Sequence, residues 1–145
     1  MPAMAESYRA VVTHVTDGDT LWVRPTGQTT EVELRLLHLD APEGCQRHGP
    51  AAKKALAQRL LHQNVVVRTY GVDDYQRSLV KVRHRSQDVG AWLVEQGHAW
   101  SSTYRGKAGP YETIEKKARL ARRGLWAHAD AEEPRAFRRS HGRCR

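Results

Sequence analysis

The chain has 145 residues, 39% hydrophobic and 28% charged, which is enough to bury one hydrophobic core and too apolar for a disordered protein. Twenty-four Lys and Arg against sixteen Asp and Glu give a formal charge of +8. That surface draws polyanions and puts nucleic acid first among partners, with a merely basic, soluble surface as the alternative. No apolar run reaches the ~18 residues of a membrane helix, and the first residues lack the apolar stretch of a secretion signal.

In chain order, residues 1–7 read as a disordered or added leader. Tyr8 to Val15 and Leu21 to Val23 are β-rich runs on either side of Asp17-Gly18, a dipeptide suited to a tight hairpin. Val32, Leu34 and Leu36 alternate with Glu33 and Arg35 in a strand over Glu31 to Leu39, so Arg35 points away from the apolar face. Asp40-Ala41-Pro42-Glu43 follows, and its proline is expected to end sheet pairing and leave both carboxylates in a turn. Gly49-Pro50 opens a helix to about Gln63 with Ala52, Leu56 and Leu60 on one face.

Asn64 to Tyr70 and Arg77 to His84 are strands joined by a turn over Gly71 to Tyr75. Asp88 caps a short helix carrying Val89, Trp92 and Leu93, ended by Gly97. Gly109-Pro110 starts a third helix, with Ile114, Ala118, Ala121 and Leu125 on one face and a stop near Gly124. The tail from Glu132 is Arg-rich around a lone Phe137. Five short strands with interspersed helices fit a small closed barrel better than a parallel sheet. The expected fold is α+β, mainly β: a five-stranded OB-type barrel flanked by three helices, a monomer.

Each chemical signal has a structural explanation when taken alone. Asp and Gly belong in a hairpin, carboxylates commonly flank a turn proline, and an arginine can simply pair with a neighbouring Asp. Together they suggest more. Asp19 and Asp40 offer hard oxygen ligands suited to calcium, with Glu43 nearby for proton chemistry. Arg35 and Arg77 would form a phosphate clamp. The eight histidines show neither HExxH nor clustered spacing, which speaks against a zinc nuclease.

The blocks DGDT at 17–20, RLLHLDAPE at 35–43, GPAA at 49–52 and DDYQRSL at 73–79, with GHAW at 97–100 and RRGLW at 122–126, resemble the staphylococcal nuclease family in order and spacing. The resemblance runs from about Tyr8 to Trp126 and implies a nuclease domain over 8–128, followed by a basic tail over 129–145. It implies an OB-fold enzyme that cleaves DNA and/or RNA with calcium and leaves 3′-phosphate ends. Asp19 and Asp40 would bind calcium by their carboxylates and Ala41, where the family prototype has threonine, by its carbonyl. Glu43 would activate or orient the attacking water, and Arg35 and Arg77 would hold the scissile phosphate. Tyr75 and Tyr104 would line the nucleotide pocket, or serve as core aromatics.

Three departures stand out: Asp74 where the prototype has a phosphate-contacting lysine, Gln76 where it has glycine, and only Gly44 to His48 where it has a long loop. Cys45 lies two residues after Glu43. A bridge to Cys144 would fold the tail beside the site and favour a secreted or periplasmic home; two free thiols are the other option. The competing reading is a non-catalytic OB module for single-stranded nucleic acid, which has no use for three carboxylates at its phosphate site.

Overall fold

Period-two burial makes five long strands in the computed structural model, which describes residues 6–142 and Cys144. They are β1 Ser7–Asp17, β2 Thr20–Pro25, β3 Val32–Leu36, β4 Asn64–Val72 and β5 Ser78–His84. Antiparallel pairing runs β3, β2, β1, β4, β5, and a parallel pairing of β3 with β5 returns to the start. The ring closes. This is the expected OB-fold barrel, and closure leaves the five strands with almost no free edge. The expected leader lies outside the described residues up to position 5, and β1 begins at Ser7.

Leu34, Leu36, Val67, Val80 and Val82 fill the barrel at 2% exposure or less. Helix α1, Gly49–Leu60, lays Ala52, Leu56 and Leu60 against it, the face expected from the spacing. Helix α2, Val89–Glu95, starts where Asp88 accepts a hydrogen bond from the Ala91 amide at 3.2 Å. Tyr111 donates to the other oxygen of that carboxylate at 2.7 Å, which ties the start of α3, Glu112–Leu120, to α2. The GHAW and RRGLW blocks dock on each other, with the Leu125 amide donating to the Gly97 carbonyl at 2.8 Å. A Cβ on Gly97 would lie 2.1 Å from the Arg123 carbonyl oxygen, so a side chain there would part the two blocks.

The sequence expectations need correction in four places. Asp40 remains in sheet pairing, because His38 at φ 73 turns the chain into a two-residue ladder, Leu39–Asp40 against Trp100–Ser101. Helix α1 stops at Leu60, short of Gln63. Helix α3 stops at Leu120, because Arg122 turns left-handed at φ 54; Leu125 reaches the core from a separate 3₁₀ turn, Gly124–Ala127. A fourth helix, α4 at Pro134–His141, forms in the tail. Arg143 and Arg145 of that tail lie outside the described residues.

Gly49 connects fold to site. A Cβ there would sit 1.9 Å from the Glu43 carbonyl oxygen, so a bare backbone at the first turn of α1 lets the Glu43 segment lie against it. Gly49→Ala is expected to destabilise by about 1–3 kcal/mol, as overpacking does. Urea unfolding gives the readout, and an unchanged midpoint would show that the segment yields freely.

Candidate active site

The hairpin and the end of β3 build the site. Asp17 pairs with Thr20 across the turn, and its carboxylate accepts the Asp19 amide at 3.1 Å. This aims the Asp19 side chain inward, where it is nearly buried at 6% exposure. Asp19 Oδ1 accepts from the Thr20 hydroxyl at 3.0 Å and Oδ2 from the Ala41 amide at 2.8 Å. The hairpin and the Asp40–Glu43 segment are thereby joined through one carboxylate.

Arg35 completes the junction. Its Nη1 donates to the carbonyls of Leu36 and Leu39 at 2.6 and 3.0 Å. Its Nη2 lies 3.2 Å from Asp40 and 3.4 Å from Asp19. Both pairs are poorly exposed, and the contact with Asp40 is a charge-assisted hydrogen bond. Arg77, at the entrance to β5, is fixed differently: its Nε donates to Asp73 at 2.8 Å, its amide to the same carboxylate at 2.9 Å, and its Nη1 to the Thr20 hydroxyl at 3.3 Å. Gln76 takes the glycine-like conformation itself, at φ 66, so the turn that aims Arg77 forms without glycine.

Asp19, Arg35, Asp40, Glu43 and Arg77 all line one open cleft of about 820 Å³. Tyr75 stands on its rim, 61% exposed, with the Arg77 guanidinium 5.4 Å from its ring centre. Tyr104 lies apart, 73% exposed on a small ribbon beside an apolar pocket of about 620 Å³ that shares Arg35 and Arg77 with the cleft. Neither tyrosine is a core aromatic. Ala41 is buried beside Asp19. Asp74 is exposed, outside the lining of the cleft. Cys45 and Cys144 form a disulfide whose Cα atoms are 5.5 Å apart.

Sequence reasoning missed three contributors. Gln46, 4% exposed, accepts the Glu43 amide on its side chain at 2.9 Å and donates its own amide to the Glu43 carbonyl at 2.9 Å. Asp17 lines the cleft as well as shaping the hairpin. Arg138, from α4, reaches the Glu43 carboxylate and lies 3.6 Å from Asp40. The usable signals for α4 were Pro134, a helix-start residue, and a Cys45 partner for Cys144.

The family model described as "Staphylococcal nuclease homologue" matches residues 33–128, about two thirds of the chain. The chain belongs to the staphylococcal nuclease family. It is 38% identical to "Micrococcal nuclease" of Shigella flexneri, over 97% of this chain and 85% of that protein. It is 34% identical to an "Uncharacterized endonuclease" of Haemophilus influenzae, over 88% and 71%. A "Probable staphylococcal-like nuclease" of Oryza sativa subsp. japonica is 31% identical over 74% of this chain but only 22% of its own length. The staphylococcal nuclease match begins at Glu33, so the hairpin with Asp17 and Asp19 precedes the matched segment and the tail follows it.

Two carboxylates of this staphylococcal nuclease site are poorly solvated. Burial pushes Asp40 up to about 6, with Asp19 and Glu43 adding to the rise against Arg35 and Arg138. Asp17 is pushed up to about 7, by burial first and Asp19 next. A carboxyl raised on folding contributes stability that is fully present below its unfolded value near pH 3.8 and lost as pH rises through about 6. In chelator, Asp40→Asn is therefore expected to match wild type near pH 4. Near pH 7.5 it should unfold roughly 4–8 °C higher, a gain on the order of 2 kcal/mol. Circular dichroism melts at the two pH values decide it; a lower midpoint for the variant at the higher pH would show that ionised Asp40 stabilises the fold.

Proposed function

We propose that the protein is a calcium-dependent nuclease that hydrolyses phosphodiester bonds of DNA and/or RNA and leaves 3′-phosphate ends. The observation that carries this is the convergence of Arg35, Arg77 and Glu43 on the cleft that holds Asp19 and Asp40. A non-catalytic nucleic-acid module gains nothing from carboxylates that repel phosphate; a hydrolase needs them.

Among the described residues no group of three or more His, Cys, Asp or Glu is placed to hold a metal. The donors fit calcium in another way. Asp19 and Asp40 approach the same Arg35 nitrogen from different segments, at 3.4 and 3.2 Å, and hard carboxylate oxygens are calcium's preferred ligands. Burial first, and the Asp19 carboxylate after it, raise Asp17 and Asp40, and a cation beside them would offset the second of these. Asp19 and Asp40 would hold the ion, with the Ala41 carbonyl as a backbone donor. When bound, calcium supplies Lewis-acid stabilisation of charge on the phosphate.

The chain's own residues do the rest. Arg35 and Arg77 are anchored before substrate arrives, so their guanidinium groups meet the charge that builds on the equatorial phosphate oxygens without reorganising. Glu43 accepts a hydrogen bond or proton from the attacking water. The water oxygen bonds to phosphorus, the bond to the 5′ oxygen breaks, and that oxygen takes a proton from solvent and leaves as a hydroxyl, which balances the proton released by the attacking water. Tyr75, on the cleft rim, offers an aromatic face to a nucleotide, and Tyr104 does so from the adjoining pocket. The Cys45–Cys144 bridge suits an oxidising compartment, so a secreted or periplasmic location belongs to this reading.

Arg35→Ala and Arg77→Ala are each expected to lower turnover on single-stranded DNA at least ~100-fold, the scale of losing a preorganised donor. Near-normal rates in either variant would remove that arginine from the mechanism. Glu43→Gln should slow hydrolysis and leave calcium affinity, measured by calorimetry, largely unchanged. A collapse of affinity in that variant would place Glu43 among the calcium ligands instead.

A further inference from the structure

The basic tail follows residues 33–128, the segment that the family model matches, and it reaches the cleft. Arg138 is in the second half of α4, and its guanidinium forks over two carboxylates: Nη1 donates to Glu43, while Nη2 lies 3.6 Å from Asp40. An exposed arginine on a short terminal helix would ordinarily contribute little at such a contact, because holding its side chain in place costs rotamer entropy. Here the helix is fastened on both sides. Before it, Asp130 pairs with Arg47 at 3.0 Å and the Glu132 carbonyl accepts from the Gln46 side chain at 2.5 Å. After it, Cys144 is bonded to Cys45.

All three anchors, Cys45, Gln46 and Arg47, are consecutive in the short loop directly after Glu43. Gln46 also clamps the Glu43 backbone from both sides, by accepting its amide and donating to its carbonyl. The segment that carries Glu43 and the helix that carries Arg138 therefore form one body, and the guanidinium is held in front of the carboxylate.

We propose that Arg138 is a positioning residue of this site. It holds the Glu43 carboxylate in its working orientation and offsets negative charge at Asp40, and the Cys45–Cys144 bridge keeps it there. The inference rests on the nuclease reading. It has a signature that a merely structural role lacks. A cation beside Asp40 opposes a second cation on the same carboxylate, so removing Arg138 should tighten calcium binding while slowing hydrolysis. Simple loss of fold weakens both, and a contact that only blocks the site would speed hydrolysis when removed.

The test compares the full-length wild type, Arg138→Ala, Arg138→Lys and the double variant Cys45→Ser/Cys144→Ser. Calcium affinity is read by calorimetry without substrate, and kcat and KM on a single-stranded oligonucleotide. Arg138→Ala is expected to lower kcat about tenfold or more, the range of a mispositioned acid–base group, with KM nearly unchanged. Its calcium affinity should rise about threefold or more. Arg138→Lys, which keeps the charge and loses the fork, should return most of the calcium effect and part of kcat. The double serine variant should shift both readouts in the same directions by smaller factors; wild-type values there would overturn the bridge's part.

Arg138→Ala that turns over faster than wild type, or equals it in both readouts, overturns the proposal while active wild type leaves the nuclease reading intact. Wild type that neither cuts nor binds calcium overturns the nuclease reading itself, and this inference with it.

Discussion

The structure turns on one guanidinium. Arg35 sits near the end of β3, between Leu34 and Leu36, which are committed to the barrel core. Its side chain therefore has to leave by the other face, where it collects the carbonyls of Leu36 and Leu39 and the carboxylates of Asp19 and Asp40. A guanidinium largely removed from water and without partners would be costly, so the hairpin at Asp17–Thr20 and the bend at His38 are drawn together around it. The pleat of a strand thus fixes the geometry of the cleft.

The same cluster explains why the site is organised for chemistry rather than for stability. Asp17, Asp19, Asp40 and Glu43 share a cleft with Arg35, Arg77 and Arg138, and the carboxyls of Asp17 and Asp40 still hold protons to about 7 and about 6. Burial is the main cause, with the Asp19 carboxylate adding to it, and shifted carboxyls of this kind gather at functional sites. Arg77 shows the opposite arrangement. Burial would raise its partner Asp73, but hydrogen bonds from the Arg77 and Tyr75 amides and the Arg77 side chain outweigh that and hold the carboxyl below its usual range. One arginine is thereby locked in place by its own carboxylate partner.

Local pattern made most of this legible. The alternation through Val32, Leu34 and Leu36 set the direction of Arg35, the Asp17-Gly18 hairpin set Asp19, and the Ala52, Leu56 and Leu60 spacing gave the buried face of α1. What the pattern missed depends on contacts distant in sequence or on backbone angles. Apolar spacing ran the third helix on toward Leu125, because the same spacing continues past Arg122, whose left-handed φ ends the helix. Helix α4 has almost no apolar face beyond Phe137 and is held by tethers to residues 45–47, so no periodicity announces it. Arg138 was one arginine among many in a basic tail, and only the fold gives it Glu43 as a partner. Asp40 stayed in a ladder because Pro42 limits pairing only from its own position onward.

Under the proposed roles of Arg35, Arg77, Glu43 and the Asp19–Asp40 pair, the bond to the 5′ oxygen is the one that breaks, and the product ends record it. The most direct measurement is therefore end-group analysis of a labelled single-stranded oligonucleotide digested at increasing calcium, with a chelator control. Cleavage that rises with calcium, stops with chelator and leaves 3′-phosphate and 5′-hydroxyl ends is the expected result. An oligonucleotide left intact at saturating calcium, cleavage indifferent to chelator, or 5′-phosphate ends would contradict it.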